Sequence, residues 1–346
     1  MIYFNSDYLE GAHPAIMAKL METNMVQTVG YGEDEYCEAA REKIKSACQA
    51  PEADVHFLVG GTQTNTTVIA AILRPWQGVL SAVSGHINCH EAGAIESTGH
   101  KVITLPTGNG KITAQQVRDY VEWHKNDEST EHIVQPGMVY ISFPTEGGTL
   151  YSKAELTALY DTCKQYGLPL FIDGARLGYG LVADGNDITL PELARLCDVF
   201  YIGGTKVGAL FGEAVVIMNE TLKKDFRFIM KQRGGRLAKG RLLGIQFDAL
   251  FTDDLYLTIS RHAIDMAYQI REIFASAGYP LLFDSPTNQQ YPIMPDAELA
   301  EIGKSFGYEY WERVDETHSG VRFCASWATT QENVDALREA VNALKK

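Results

Sequence analysis

The chain has 346 residues, of which 45% are hydrophobic and 21% are charged, and its formal net charge is −14 at pH 7. This composition is typical of a globular protein and excludes a disordered chain, and the length allows one large domain and a smaller one. The acidic balance argues against nucleic acid or an anionic membrane as a partner, because either would need a basic face.

The start of the chain and its cysteines predict a cytoplasmic protein. The first residues carry no basic segment of the kind that opens a signal peptide, and no apolar run approaches the ~20 residues that span a bilayer. The six cysteines include no Cys-x-x-Cys pair, which favours reduced thiols.

Seven apolar runs alternate with helical segments along the first two thirds of the chain. Strands are predicted at 55–59, 79–83, 101–105, 138–142, 170–173, 199–202 and 214–218, and helices at 14–25, 66–73 and 154–166. Such alternation predicts an α/β fold, in which a mostly parallel seven-stranded sheet is covered by helices on both faces.

The pattern changes after about residue 221. A basic stretch, 231–241, leads into a long helical region at 243–278, short strands at 281–283 and 320–326, and a last helix that Thr329 and Glu332 are expected to cap. We predict a large domain at 14–240 and a small α+β domain formed by 1–13 and 241–346.

Lys206 directly follows a buried strand and two glycines, in Gly203-Gly204-Thr205-Lys206. Partial desolvation of its ammonium group at such a place lowers the pKa, and the neutral amine can then form a Schiff base with a carbonyl. The alternative is an ordinary turn lysine, because short motifs of this kind have many false positives.

Three further sites follow predicted strands. Gly60-Gly61-Thr62 opens a helix, whose free amide groups suit an anion. The alternative is a strand-to-helix turn without a ligand, which would have the same sequence pattern. Asp173 ends a very apolar strand, where it either meets a cation or caps a helix, and Arg176 is either its ion-pair partner or a carboxylate clamp. His86 follows a third strand, and the histidines near it lack the spacing of a metal site.

These parts together indicate pyridoxal phosphate as the cofactor. Lys206 would form the Schiff base, the helix start at Gly61 would take the phosphate, Asp173 would pair with the pyridinium nitrogen, and His86 would stack on the ring.

Motifs in the same order extend this interpretation to nearly the whole chain. They are Ser6-Asp7, Tyr31-Gly32-Glu33-Asp34, Gly60-Gly61-Thr62, His86 with Glu91-Ala92-Gly93, Asp173-Gly174-Ala175-Arg176, Gly204-Thr205-Lys206 and Gly320-Val321-Arg322. By these motifs the chain resembles the low-specificity threonine aldolases, a family of pyridoxal-phosphate enzymes with the fold type I, transferase-like architecture.

The resemblance implies a role for each site residue. Lys206 carries the cofactor, Asp173 keeps the pyridine nitrogen protonated and His86 stacks on the ring. The phosphate is held by Gly61, Thr62 and Thr205, and by Lys239 of a neighbouring subunit. The substrate carboxylate is bound by Ser6, Arg176 and Arg322, and Tyr31 also arrives from the partner. A homo-oligomer with shared sites, a dimer of dimers, and no metal are implied.

The implied reaction cleaves L-threonine or L-allo-threonine to glycine and acetaldehyde. β-Elimination or side-chain transfer on another amino acid, and a non-catalytic relative, are the alternatives. Many family members carry a histidine in the turn that here spans 143–149, whereas this chain has none. The group that takes the β-hydroxyl proton is therefore open among His86, a bound water and Glu146.

Overall fold

The computed structural model describes residues 1–345 and contains all seven predicted strands in one sheet. These strands are β2 (Asp54–Leu58), β3 (Gln77–Ala82), β4 (Val102–Leu105), β5 (Gln135–Ser142), β6 (Leu170–Asp173), β7 (Val199–Gly203) and β8 (Glu213–Ile217), preceded by the short β1 (Ile2–Tyr3). The order is β2-β8-β7-β6-β5-β3-β4, and only β8 runs antiparallel to its neighbours. The predicted mostly parallel sheet is confirmed.

The strand residues alternate between two hydrophobic layers. Tyr140, Phe171 and Tyr201 face one layer, while Ile172 and Phe200 face the other. Because both faces are buried, the strands read as continuous apolar runs, and their prediction from sequence was straightforward.

Helices cover both faces of the sheet. In chain order they are α1 (Pro14–Thr23), α2 (Glu35–Ala47), α3 (Gly61–Ile72), α4 (His86–Cys89), α5 (Ala114–Asn126), α6 (Lys153–Tyr166), α7 (Leu177–Val182), α8 (Leu190–Arg195), α9 (Glu220–Lys223), α10 (Phe226–Gln232), α11 (Arg241–Leu250), α12 (Leu255–Ser276), α13 (Asp296–Ile302) and α14 (Gln331–Ala343), with 3₁₀ turns at Glu96–Thr98 and Thr130–His132. Helix α3 starts five residues before the predicted 66, directly at the glycine pair.

The long helical region predicted at 243–278 is two helices. The chain breaks between α11 and α12, where Asp253 and Asp254 adopt left-handed backbone conformations (φ 51° and 58°). Aspartate tolerates this conformation better than most residues, because its short side chain can hydrogen-bond locally.

A second, smaller sheet follows. It contains β9 (Gln289–Gln290), β10 (Ile293–Pro295), β12 (Glu309–Arg313) and β13 (His318–Cys324), and β11 (Phe306–Gly307) pairs with β1. The strand predicted at 281–283 is wrong, since only an isolated bridge joins Leu281 to Pro292. A separate hydrophobic core joins this sheet to α12 and α14. The domain boundaries stay a prediction.

The predicted cap of the last helix is off by one residue. Thr330 caps α14 by accepting a hydrogen bond from the Asn333 amide (3.3 Å). Thr329 instead accepts one from the Ser326 amide (2.8 Å), so its hydroxyl serves the preceding turn.

The helices and the cysteines were each compared with what the sequence predicts. Within residues 1–345, no helix combines the length and the apolar character needed to cross a membrane. All six cysteines are free, and Cys89 alone among them is exposed.

Candidate active site

Several of the predicted residues lie at one edge of the large sheet. Asp173 is the last residue of β6, and Lys206, His86 and Gly61 follow the carboxyl ends of β7, β3 and β2. These four strands all point the same way. Ligands of α/β sheets bind at this edge. A cavity of about 380 Å³ opens there, and its lining includes Tyr8, His86, Glu146, Arg176, Lys206 and Arg322.

Lys206 lies in the turn after β7, as predicted. Glycine is required before it, because a Cβ on Gly203 would stand 2.3 Å from the Ala175 carbonyl oxygen. The Tyr179 hydroxyl donates to the Lys206 carbonyl (2.5 Å) and fixes the turn. Burial, followed by the charge of Arg176, lowers the pKa of Lys206. The amine is thereby poised to act as a nucleophile.

Asp173 is a buried carboxylate at the end of β6. Burial favours its neutral form, but the charge of His86 and several hydrogen bonds lower its pKa. The donors are Tyr140 Oη (2.6 Å), Tyr201 Oη (2.5 Å), Asn65 Nδ2 (3.1 Å) and the Ala175 amide (3.0 Å). Asp173 is therefore ionised and suited to face a cation. The sequence interpretation missed the three side-chain donors, because each of them is distant from Asp173 in the sequence.

His86 begins α4 and is tied to buried Glu91, with 3.0 Å between Nδ1 and Oε1. Asn65 Nδ2 also donates to Glu91 Oε1 (2.8 Å), so Asn65 joins the His86 and Asp173 clusters. Burial opposes the charged imidazole, but Glu91 and Asp173 raise the pKa of His86 overall.

Glu146 lies in the turn at 143–149, which contains no histidine. Its Oε1 accepts hydrogen bonds from Ser142 Oγ (2.6 Å) and the His86 amide (2.9 Å). Burial raises the pKa of this carboxyl group.

The two arginines are held differently. Arg176 makes a two-point ion pair with Asp7, Nε to Oδ2 at 2.6 Å and Nη2 to Oδ1 at 3.0 Å. Arg322 donates to the Asn5 carbonyl (2.7 Å) and to Gln289 Oε1 (3.1 Å), and within residues 1–345 its buried Nε has no partner. Ser6 is buried beside Asp7 and does not line the cavity.

Helix α3 presents its N-terminus at this edge, starting at Gly61 and Thr62. No side chain among residues 1–345 caps this end, so its first amides are available to an anion. The Thr205 hydroxyl is already used, because it donates to Glu213 Oε1 (2.8 Å) and accepts from the Gly212 amide (3.0 Å). Burial raises the pKa of Glu213 to about 8.

Tyr31 and Lys239 lie away from this cavity in their own chain. The Tyr31 amide donates to the Ala238 carbonyl (3.1 Å), and Lys231 Nζ stands 4.6 Å from the centre of the Tyr31 ring. The structure thus brings Lys206, Asp173, His86, Arg176 and Arg322 to the strand edge, and leaves these two outside. Among residues 1–345, no group of His, Cys, Asp and Glu side chains could hold a metal ion.

The donor set fits pyridoxal phosphate. A lysine with a lowered pKa suits a Schiff base, an ionised aspartate suits a pyridinium nitrogen, and an uncapped helix start suits a phosphate.

Comparison with known proteins supports this interpretation. The β-eliminating lyase family matches residues 4–339. The low specificity L-threonine aldolase of Pseudomonas aeruginosa is 30% identical over 337 residues, which cover 96% of this chain and 95% of that protein. The solved structure of Leishmania major threonine aldolase is 42% identical, covers 100% of both chains and has a TM-score of 0.97. A mutant of Thermus thermophilus aspartate aminotransferase shares the fold at 13% identity, with a TM-score of 0.71 over 99% of this chain and 91% of that one. The chain therefore belongs to the β-eliminating lyase family and, within it, to the group that contains the low-specificity threonine aldolases.

Proposed function

We propose that the protein is a pyridoxal-phosphate-dependent carbon–carbon lyase that cleaves L-threonine or L-allo-threonine to glycine and acetaldehyde. The observation that carries the proposal is the pairing, at one sheet edge, of a lysine with a lowered pKa and an ionised aspartate held by four donors. The names of the related proteins point to the same substrate class.

Bound at Lys206, pyridoxal phosphate supplies an electron sink for a bond that breaks at the Cα atom of the amino acid. Asp173 keeps a proton on the ring nitrogen, because its carboxylate stays ionised in a buried place. The α3 amides at Gly61 and Thr62 hold the phosphate, and His86 packs on the ring. Each of these groups binds or orients the cofactor.

Two cations hold the substrate carboxylate. Within residues 1–345, Arg322 has a buried nitrogen without a partner, and Arg176 presents the remaining edge of a guanidinium that Asp7 fixes from the other side. A fixed carboxylate orients the Cα–Cβ bond, and such positioning is a large part of the rate gain in reactions of bound substrates. Lys206 Nζ then serves as the nearby amine that moves a proton at Cα.

We also propose a cytoplasmic homo-oligomer with shared sites. Helix α1 and the segment after it expose an apolar stripe of Met21 (74% exposed), Met25 (88%) and Val29 (67%), which suits contact with another copy. Tyr31 follows this stripe in the sequence. Both Tyr31 and Lys239 lie outside their own cavity and are proposed to reach the partner's cavity. A dimer of dimers is the proposed assembly.

The test is aldehyde release from L-threonine, followed with a coupled alcohol dehydrogenase. Wild-type protein should release acetaldehyde and form glycine, and Lys206→Ala should abolish turnover together with the visible absorbance of bound cofactor. Lys304→Ala, at an exposed helix end, is the matched lysine control. Pyruvate and ammonia in place of glycine and aldehyde would instead show β-elimination, and unchanged turnover in Lys206→Ala would refute the proposal.

A further inference from the structure

We propose that the carboxylate of Glu146 accepts the proton of the substrate's β-hydroxyl group as the Cα–Cβ bond breaks. This inference rests on the proposed aldolase function and assigns the proton acceptor that the function requires. It makes Glu146 a catalytic residue of the cavity that also contains Lys206 and Arg322.

The two oxygens of Glu146 have different surroundings. Oε1 accepts hydrogen bonds from Ser142 Oγ and from the His86 amide, at 2.6 and 2.9 Å. Neither of these donors reaches Oε2, and the side chain lines the cavity. Glu146 is therefore held by one oxygen and presents the other, a pure acceptor when ionised, to whatever enters the cavity.

The turn that carries Glu146 is fixed to a substrate-binding element. Its carbonyl oxygen accepts hydrogen bonds from Tyr291 Oη (2.8 Å) and Gln289 Nε2 (3.4 Å). Gln289 Oε1 in turn accepts from Arg322 Nη1 (3.1 Å). One glutamine thus links Glu146 to the arginine proposed for the carboxylate, which favours a constant distance between the two ends of a bound amino acid.

The other candidate on the same wall, His86, is less suited to accept a proton. Its Nδ1 is occupied by Glu91 at 3.0 Å, so that only Nε2 could accept a proton. Despite burial, the hydrogen bond with Glu91 and the charge of Asp173 raise its pKa, so a larger share of the imidazole is already protonated at neutral pH. A protonated imidazole has no lone pair left to offer.

The surroundings of Glu146 suit a base that works near neutral pH. Burial is the main cause that raises its pKa, the carboxylate of Asp173 adds to it, and the charge of His86 opposes it. Glu146 also interacts with the phenols of Tyr140 and Tyr151, both neutral in this range because burial raises their pKa. The charged side chains that line the same cavity are those of Arg176, Lys206, Glu309 and Arg322. A carboxyl group whose pKa is raised towards the working pH is a stronger base than a surface glutamate.

The proposed step balances without another reactant. The Glu146 carboxylate takes the hydroxyl proton, and the O–H electron pair becomes the second C–O bond of the aldehyde. The Cα–Cβ pair stays with Cα, which takes up one proton before glycine leaves. The proton on Glu146 returns to solvent, so that the charge of the protein is unchanged after one turnover.

The experiment compares wild type with Glu146→Gln, which keeps the size and an acceptor oxygen for Ser142 while removing the charge. We expect threonine cleavage to fall at least about 100-fold, within the usual range for a lost general base. Exchange of the α-proton of glycine for deuterium should persist at near wild-type rate, because glycine has no hydroxyl group. Cofactor binding, measured by visible absorbance, should also persist.

A second readout is independent of activity. The pKa of Glu146 is raised in the folded protein, so its ionisation lowers the stability of the fold as pH rises above the pKa of the group in the unfolded chain. Glu146→Gln should therefore melt at a higher temperature than wild type at pH 8, with the difference shrinking towards pH 4.

His90, which also lines the cavity, is the matched control. His90 is exposed, but partial burial of its ring and the charge of His86 lower its pKa. Its imidazole is therefore neutral and could act as a base in place of Glu146. His90→Asn should keep most of the cleavage rate. The inference is overturned if Glu146→Gln cleaves threonine like wild type, if His90→Asn alone loses cleavage, or if Glu146→Gln loses glycine exchange equally. Absence of cleavage by wild type would instead refute the proposed function.

Discussion

Asp7 and Arg176 form a buried ion pair between residues that are 169 positions apart in the chain. The carboxylate binds Nε and Nη2 of the guanidinium, and Asn288 Nδ2 adds a third hydrogen bond to Asp7 (2.9 Å). The N-terminal arm, residues 1–13, therefore fixes the orientation of Arg176 before a substrate arrives. Of the two uses that the sequence allowed for Arg176, the ion pair is observed, but with Asp7 and not with Asp173.

We predict that Asp7 stabilises the protein in a pH-dependent manner. Burial alone would favour the neutral acid, but the charges of Arg176 and Lys206 lower the pKa of Asp7 from 3.8 to about 2. A lowered folded pKa contributes stability above the unfolded value, and this contribution, about 2 kcal/mol, disappears as pH falls from 4 to 2. Asp7→Asn imitates the neutral acid, so urea unfolding should show it less stable than wild type at pH 7 and equal to it near pH 2.

The comparison has to be made at one protein concentration, because the stability of the proposed oligomer would depend on it. Glu10→Gln, a change at an exposed position of the same arm, is the control and should unfold like wild type at both pH values. If the free energies of unfolding of Asp7→Asn and wild type differed by a constant amount from pH 7 to pH 2, the ion pair would not be the cause of the stability lost in acid.

We predict that the two tyrosines on Asp173 tune the cofactor. Tyr140→Phe and Tyr201→Phe each remove a hydrogen bond to a buried carboxylate, worth about 1.5–3 kcal/mol. Each should raise the pKa of Asp173, weaken its hold on a protonated pyridine nitrogen, and lower kcat for threonine by about tenfold or more. Cofactor affinity, titrated by visible absorbance, should fall as well.

Tyr268→Phe is the control for these two variants, because its hydroxyl bonds to Pro286 outside the cavity. Wild-type kcat in both Tyr140→Phe and Tyr201→Phe would show that the ionisation of Asp173 does not depend on them.

The parts of the site that could be predicted from sequence are those whose position depends on neighbouring residues in the chain. Lys206 and Asp173 each follow a buried apolar strand, so their place at the sheet edge was evident from a few neighbouring residues. The side chains that hold the site residues are distant from them in sequence. Asn65 lies 108 residues from its partner Asp173, and Asp7 lies 169 residues from its partner Arg176. A single sequence carries no signal for such pairs, since only the folded sheet brings them together.

The same difference explains the errors in the fold. The seven strands were recognisable because burial on both faces makes them continuous apolar runs. The break between α11 and α12 was missed, because it depends on two aspartates in a rare backbone conformation and not on a glycine or proline. The short strands of the small sheet have two to five residues and too little pattern to detect, except for β13.

We predict that Glu213 destabilises the apo-protein at alkaline pH. Burial raises its pKa to about 8, while the Thr205 hydroxyl and the charge of Lys206 oppose this shift. A raised folded pKa gives stability that is complete below the unfolded value of 4.5 and is lost as pH rises through about 8. The melting temperature of cofactor-free wild type should therefore fall between pH 6 and 9, and Glu213→Gln should fall less. Parallel curves for the two proteins would contradict this assignment.

Gly174 is predicted to be irreplaceable, because it lets the Asp173 and Lys206 segments touch. A Cβ on Gly174 would stand 1.9 Å from the Tyr201 carbonyl oxygen, a backbone atom that cannot turn aside. The Gly174 carbonyl also accepts a hydrogen bond from the Gly203 amide (3.0 Å), just before the Lys206 turn. Gly174→Ala must therefore push β6 and β7 apart at their carboxyl ends, where the proposed cofactor contacts both.

The expected result for Gly174→Ala is loss of cofactor absorbance together with a lower melting temperature, or failure to accumulate as folded protein. Gly108→Ala is the matched control, since a Cβ there meets no atom of residues 1–345 within 4 Å and its backbone is not left-handed. That variant should bind the cofactor like wild type and melt at the same temperature or slightly higher, because alanine restricts the unfolded chain. Normal cofactor binding by Gly174→Ala would show that the strand ends can separate without disturbing the site, and that the close contact between the two turns does not hold Asp173 and Lys206 in place.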